Sequence, residues 1–266
     1  MIIKTNKHSP SLITCSKDVT VLNNLVKLSH SNLICISARP GMGKTSLALY
    51  MALEYADKCK KPIYIFSFDL CSMEIYERMV CALGKIDTLK IRKRLFSNED
   101  TVQITKAVEK LKQMNIVIDD ETELTEQKII ERLDSLDEIG IVIIDSLQSK
   151  SSCLSKEQSI QEIGMLLNKL KIYAKQKNIP IIFTHKINRQ IERRKNKRPL
   201  LKDLKYDRIG KVDLDTIIFI YRNEYYKIEK NTEPAKAEII IAKNKYDSLK
   251  TIFLEWQGKY MKFCKT

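Results

Sequence analysis

Residues 36–50, ISARPGMGKTSLALY, run from an apolar, strand-like start through a loop of small residues into an amphipathic stretch. A loop that holds a triphosphate must bring consecutive backbone N–H groups close to its oxygens. It must then launch a helix whose positive end faces them. Ala38, Arg39, Pro40, Gly41, Met42, Gly43, Lys44, Thr45 and Ser46 fit this plan. Gly41 and Gly43 give the backbone its freedom, Lys44 offers a cation to the outer phosphates, and Thr45 offers a hydroxyl to Mg²⁺. Ala38 stands where the consensus has its first glycine. It ends the strand, where the residue need only be small.

Outward from this loop, strand-length apolar runs recur: NLICIS (32–37), PIYIFSF (62–68), NIVID (115–119), IGIVIID (139–145) and IPIIFT (179–184). Nearly continuous runs of this kind suit strands buried on both faces. Helical patterns over 43–58, 72–84, 98–113, 124–138 and 157–177 separate them. The alternation predicts an α/β fold with a mostly parallel central sheet and crossover helices. After about residue 214, DTIIFIYR, KAEIIIAKNK, KTIFLEW and KYMKFC follow with short polar gaps, which predicts an antiparallel C-terminal extension. The economical division is an N-terminal segment, 1–30, of weaker pattern and one domain, 31–266.

Hydrophobic residues make up 44% of the 266-residue chain, enough for a sizeable core. No apolar run approaches the ~20 residues of a membrane span. The start, MIIKTNKHSPSLITC, has its apolar runs broken by Lys4, Lys7 and Pro10, unlike a signal peptide. Seven scattered cysteines without a C-x-x-C pair argue against a zinc site or disulfide scaffold and suit a cytoplasmic location. The net charge of +14 makes nucleic acid the leading class of partner. From His185 to Lys211, eleven Lys or Arg stand against three Asp or Glu, so over half of the excess lies in one segment.

Two carboxylates belong with the loop. Asp145 ends the apolar run IGIVIID, a place from which it can hold the water shell of Mg²⁺. Asp69 ends IYIFSFD. It either orients and deprotonates an attacking water or caps the helix that begins near Ser72, and the sequence leaves both open.

Taken in order, ISARPGMGKTSLAL, KPIYIFSFDLCSMEIYERM, IGIVIIDSLQ, INRQIERRKNKRP, IIFIYRNEYY and AEIIIAKNK resemble the C-terminal motor domain of DnaB-type replicative DNA helicases, from about Leu33 to Lys262. The resemblance implies a RecA-like P-loop NTPase that assembles into a six-membered ring, with ATP and Mg²⁺ between neighbours and single-stranded DNA through the centre. It puts Lys44, Thr45 and Asp145 in the nucleotide and metal positions. Asp69 falls where the family has a catalytic Glu. Lys243 and Lys245 fall where a Lys and an arginine finger reach the neighbour's γ-phosphate. His185 and Lys186 replace a Ser and the Gln that senses that phosphate. The three changes at 69, 186 and 245 imply slowed hydrolysis or altered coupling, because Asp is one methylene shorter than Glu and Lys lacks the planar fork of Arg. About thirty leading residues are too few for the helical collar domain of full-length relatives, so the expectation is a stand-alone or excised motor of a phage, plasmid or other mobile element. A helicase loader or primase is the implied further partner.

Read without the family, the basic segment 185–211 interleaves cations with Ile187, Ile191, Leu200, Leu201 and Leu204, which suits a phosphate backbone. Arg189, Arg193, Arg194, Lys202, Lys205, Tyr206 and Arg208 are its candidate DNA contacts, Tyr206 by stacking. Tyr225 and Tyr226 either border an adenine pocket or end an exposed strand. Trp256 reads as packing in the terminal sheet, and His8 and His30 have no partners at metal spacing. The leading functional expectation is an ATP-dependent, ring-forming helicase. The alternatives are an ATP-binding regulatory paralogue with weak or no hydrolysis, and a RecA-like recombination or clock-type ATPase.

Overall fold

The computed structural model describes residues 26, 28, 31–121, 126–147, 156–205, 214–226 and 235–265. Nine strands form one sheet: β1 (Leu33–Ala38), β2 (Ile63–Ser67), β3 (Ile116–Asp119), β4 (Ile141–Asp145), β5 (Ile181–Lys186), β6 (Thr216–Arg222), β7 (Ala235–Asn244), β8 (Thr251–Gln257) and β9 (Lys262–Lys265), in the order β3-β2-β4-β5-β1-β6-β7-β8-β9. From β3 to β6 every pairing is parallel. From β6 to β9 every pairing is antiparallel. This is the α/β architecture expected from the sequence, and each of the five expected parallel strands is present; the strand of DTIIFIYR, expected to open the antiparallel extension, is a sixth parallel strand beside β1 and turns antiparallel only towards β7.

Alternate residues of each strand feed two different cores, because successive side chains leave a strand on opposite faces. Ile34, Ile36, Ile63, Ile65, Ile141 and Ile143 face one core. It is closed by α1 (Lys44–Cys59), α2 (Ser72–Gly84) and α4 (Asn98–Gln113). Leu33, Cys35, Tyr64, Phe66, Val142 and Ile144 face the other, which α5 (Glu126–Asp134) and α6 (Lys156–Lys177) cover. A sheet covered on both sides explains the unbroken apolar strands of the parallel half.

Two short helices escaped the sequence reading, α3 (Thr88–Lys93) and α7 (Leu201–Lys205). None of the residues of α3 is buried, so it has no apolar stripe to announce it. The helix expected over 124–138 ends earlier, at Asp134. In the C-terminal extension a 3-10 turn follows β6 at Asn223–Tyr226, and another stands between β8 and β9 at Gly258–Tyr260. The segment 1–30 lies almost wholly outside the described residues.

The strand order fixes where chemistry can occur. In open sheets of this kind, ligands meet the carboxyl ends of the strands, where the chain switches direction across the sheet. The 38–46 loop leaves the carboxyl end of β1. Asp145 ends β4, Lys186 ends β5, and Asp69 follows β2, all on the same edge.

Candidate nucleotide site

The loop between β1 and α1 is held in a single shape from both sides. Gly41 and Gly43 have φ of 77° and 98°, the left-handed region that side chains disfavour. At Gly43 the space is also closed: a Cβ there would lie 2.8 Å from the Phe263 ring and 3.1 Å from Trp256. Phe263 and Trp256 come from β9 and β8, four and three strands away from β1, so the twisted sheet carries its antiparallel end back under the loop. Trp256, read from sequence as a packing residue of the terminal sheet, does pack there, with its ring 4.7 Å from that of Phe263, and it also supports Gly43. Arg222, whose guanidinium lies over the Trp256 ring at 4.8 Å, donates from Nη1 to the Gly41 carbonyl at 3.0 Å and is itself paired with Glu224 at 2.6 Å.

Arg39 is turned away from the loop's concave side. Its Nε pairs with Glu192 at 2.8 Å and its Nη1 donates to the Ile187 carbonyl at 2.7 Å, tying the loop to the segment after β5. Ala38 is fully buried, and its carbonyl accepts from the Ile187 N–H at 3.1 Å. Met42 and Ser46 are buried, while Pro40 and Gly41 are exposed.

Lys44 is 8% exposed, and its Nζ donates to the Arg39 carbonyl at 3.4 Å. Burial pushes the ammonium down to about 8. The Asp145 charge opposes that shift and the Lys186 charge adds to it. A buried cation so weakly compensated is primed for an anion that supplies the missing negative charge.

Thr45 donates from Oγ1 to Oδ2 of Asp145 at 2.7 Å, and Thr184 donates to Oδ1 at 2.5 Å. Both carboxylate oxygens are therefore aimed by fixed donors, and Asp145 is 2% exposed. A hydroxyl beside a carboxylate is a hard-oxygen donor set of the kind Mg²⁺ accepts together with waters and phosphate oxygens. Thr184 was missed by the sequence reading. Its signal is a hydroxyl at the end of an apolar strand, in FTHK, next to a strand-terminal Asp.

Asp69 does not cap the helix after β2. The N-cap of α2 is Cys71, its N–H is taken by the Glu74 side chain at 3.2 Å, and the Ser72 N–H donates to Asp120. Asp69 instead forms an ion pair with Lys186, Oδ2 to Nζ 2.9 Å, with both side chains 39% exposed. Two residues that the resemblance sets around one γ-phosphate are thus bonded to each other in the fold.

Lys243 and Lys245 are not brought to this site. The register of β6 on β7 shifts at Ile217/Ile218 and sets Lys243 opposite Ile217, near the amino end of β1. Lys245 follows β7. Its N–H donates to the Asp215 carbonyl at 3.0 Å and its Nζ lies 3.8 Å from the Asp215 carboxylate. Asp215 in turn accepts from the Leu33 N–H at 3.1 Å. Leu33 starts the strand that ends at Ala38, so at ~3.3 Å per residue Lys245 sits about 17 Å from the loop's own start.

The basic segment divides. Arg189 and Arg193 are exposed on a 3-10 turn pinned by buried Ile191, and Lys202 is exposed on α7 above buried Leu204. Arg194 is engaged inward, donating to Asp203 at 2.8 Å and to the Arg198 carbonyl at 3.0 Å. The side chain of Lys205, and all of Tyr206 and Arg208, lie outside the described residues, as do His8 and His30. Tyr225 is beside the loop, with its ring 3.1 Å from where a Cβ of Gly41 would stand, and Tyr226 packs edge-on against it. Among the described residues no cluster of three His, Cys, Asp or Glu could hold a metal ion, and no helix is long and apolar enough to cross a membrane.

Comparison with known proteins gives a consistent result. The family model described as "DnaB-like helicase C terminal domain" matches residues 16–265, reaching further towards the N-terminus than Leu33. The replicative DNA helicase DnaB of Geobacillus stearothermophilus is 32% identical over 238 residues, and the replicative DNA helicase DnaC of Bacillus subtilis is 33% identical over 239. Each alignment takes in 88% of this chain and 52% of the relative, so the chain spans about half the length of the curated relatives it matches. Among solved structures, the ATPase domain of G40P superposes with a TM-score of 0.82 at 27% identity, covering 95% of this chain and 91% of that one. A DnaB-like replicative helicase, solved to describe its interactions with primase, gives 0.81 at 27% identity, covering 95% and 62%.

Proposed function

This chain belongs to the DnaB-like helicase C-terminal domain family, and from that premise we propose that it is the ATP-driven motor of a replicative DNA helicase, working as a ring of identical subunits on single-stranded DNA. The observation that carries the reading is the buried, undercompensated Lys44 at the mouth of a loop whose Thr45 is hydrogen-bonded to Asp145. In this reading residues 38–46 hold the phosphates of ATP. Thr45 and Asp145 would hold Mg²⁺, which when bound neutralises phosphate charge and polarises the bond to be broken. Asp69 orients the attacking water and accepts its proton, and Lys186 senses the terminal phosphate.

The ring is compatible with the placement of Lys245. At about 17 Å it is out of reach of its own loop, so a phosphate it serves would belong to a neighbouring subunit. Lys245 then plays the part of an arginine finger, with a point charge instead of a planar fork. Hydrolysis at such an interface is the step that moves Arg189, Arg193, Lys202 and the further expected contacts Lys205, Tyr206 and Arg208 along the DNA backbone. The division into a segment 1–30 and a motor domain 31–266, a cytoplasmic location, and contact with a primase or loader belong to the same proposal.

The test is unwinding of a forked duplex, run beside sizing of the particle with ATP. The expected result is ATP-dependent strand separation by a hexamer-sized particle, lost in Lys44→Ala. A protein that stays monomeric with ATP and separates no strands would overturn the reading.

A further inference from the structure

We propose that Asp69 and Lys186 act as one switch, in which the terminal phosphate of ATP draws Lys186 away from Asp69 and so frees that carboxylate for the attacking water. The inference rests on the nucleotide reading of the loop and assigns to the ion pair a role that neither residue has alone.

Strand order makes the pair what it is. Asp69 follows β2 and Lys186 ends β5, and β4 runs between them. Neighbouring strands are ~4.8 Å apart, so the two chains meet across about 10 Å. The flexible four-carbon stem of Lys186 supplies that reach, and the 2.9 Å contact closes an arch over the end of β4. Asp145 ends that strand and accepts from Thr45. Lys44 senses both ends of the arch, since the charges of Lys186 and Asp69 act on its ammonium in opposite directions. The ion pair and the loop therefore meet electrostatically at one cation.

Its strength suits exchange. Both side chains are 39% exposed, and an exposed pair contributes little net stability. A phosphate with two negative charges outcompetes a single carboxylate for the ammonium. Once Lys186 moves, Oδ2 of Asp69 is open to accept from water. The oxygen of that water then bonds to the terminal phosphorus as the bridging P–O bond breaks, and its proton passes to Asp69. With a diphosphate nothing draws Lys186 across, and the arch stays closed.

The test measures binding of ADP and of a non-hydrolysable ATP analogue, together with turnover of ATP, in the wild type, Asp69→Asn, Lys186→Met and the double variant. The switch predicts that Lys186→Met weakens the triphosphate by about tenfold or more and leaves ADP within about twofold, as loss of one charge-assisted contact should. Asp69→Asn releases the lysine, so triphosphate affinity rises a few-fold while turnover collapses. In the double variant the gain from Asp69→Asn disappears. Neither change alters a buried group, so melting temperatures stay close to wild type. If Asp69→Asn leaves the ratio of triphosphate to ADP affinity unchanged while the wild type binds and turns over ATP, the switch is wrong and the nucleotide reading stands. If the wild type binds neither nucleotide, both are wrong.

Discussion

The loop side of the site and its far side differ in how their charged groups are held. On the loop side, Lys44 is 8% and Asp145 2% exposed, and Asp145 has a donor at 2.7 Å or less on each oxygen. On the far side, Asp69 and Lys186 are each 39% exposed and meet one another in a single contact. The first arrangement is preorganised: its groups are already in place before a phosphate arrives, so little ordering cost remains. The second is exchangeable. Under the proposed function, binding of the nucleotide would depend on fixed architecture, and its turnover on contacts that can be traded.

The comparison is broken most severely through Lys44. Lys44→Ala removes the buried cation, and ATP turnover should fall by at least ~100-fold, as with loss of other preorganised charge donors. A fluorescent nucleotide titration should show that the loss begins at binding. Equal binding in wild type and variant would remove the loop from its place as the fixed side.

Gly43 tests whether the fixed side is fixed by its packing. In Gly43→Ala the new Cβ meets Phe263 at 2.8 Å, at a φ of 98°. The cost should be about 1–3 kcal/mol, or a melting temperature lower by several degrees for a chain of this size.

A pH titration sharpens the contrast without a substitution. Lys44, held at about 8, binds phosphate in its protonated form. Affinity for ATP should be steady below pH 8 and fall by up to about tenfold per pH unit above it. The sign for stability is opposite. Between about 8 and the ordinary 10.5 the unfolded chain holds more protons at Lys44 than the folded one, so the cost of burying this ammonium fades as pH rises. Lys44→Ala should remove this rising contribution to stability in that window.

The smallest effects are expected in the basic segment. Arg189→Ala and Arg193→Ala should each weaken single-stranded DNA a few-fold and lower the salt slope by about 0.7, as one lost phosphate contact does. Arg194→Ala, whose partner is Asp203, should instead show its effect in melting temperature.

The sequence made the loop side legible because its logic is local. Residues 38–46 are contiguous, and Asp145 ends an apolar run that has the marks of a buried strand. The parallel strands were legible for the same reason, since burial on both faces leaves unbroken runs of Ile, Val and Phe. The far side was legible only through the family resemblance, which set positions 69 and 186 around one γ-phosphate. Their ion pair was not, since Asp69 and Lys186 meet across β4 and no pattern within either segment records that order. Phe263 and Trp256 lie under Gly43 because a nine-stranded sheet twists its last strands back, which is again invisible locally. The basic run suggested equivalent cations, yet the fold turns Arg194 inward and leaves Arg189 and Arg193 outside.

Steady-state ATP hydrolysis with and without single-stranded DNA tests the central claim most directly. The account predicts a turnover that DNA raises severalfold and that Lys44→Ala abolishes. ATP bound at the loop, with no turnover above that variant in the presence or absence of DNA, would contradict it.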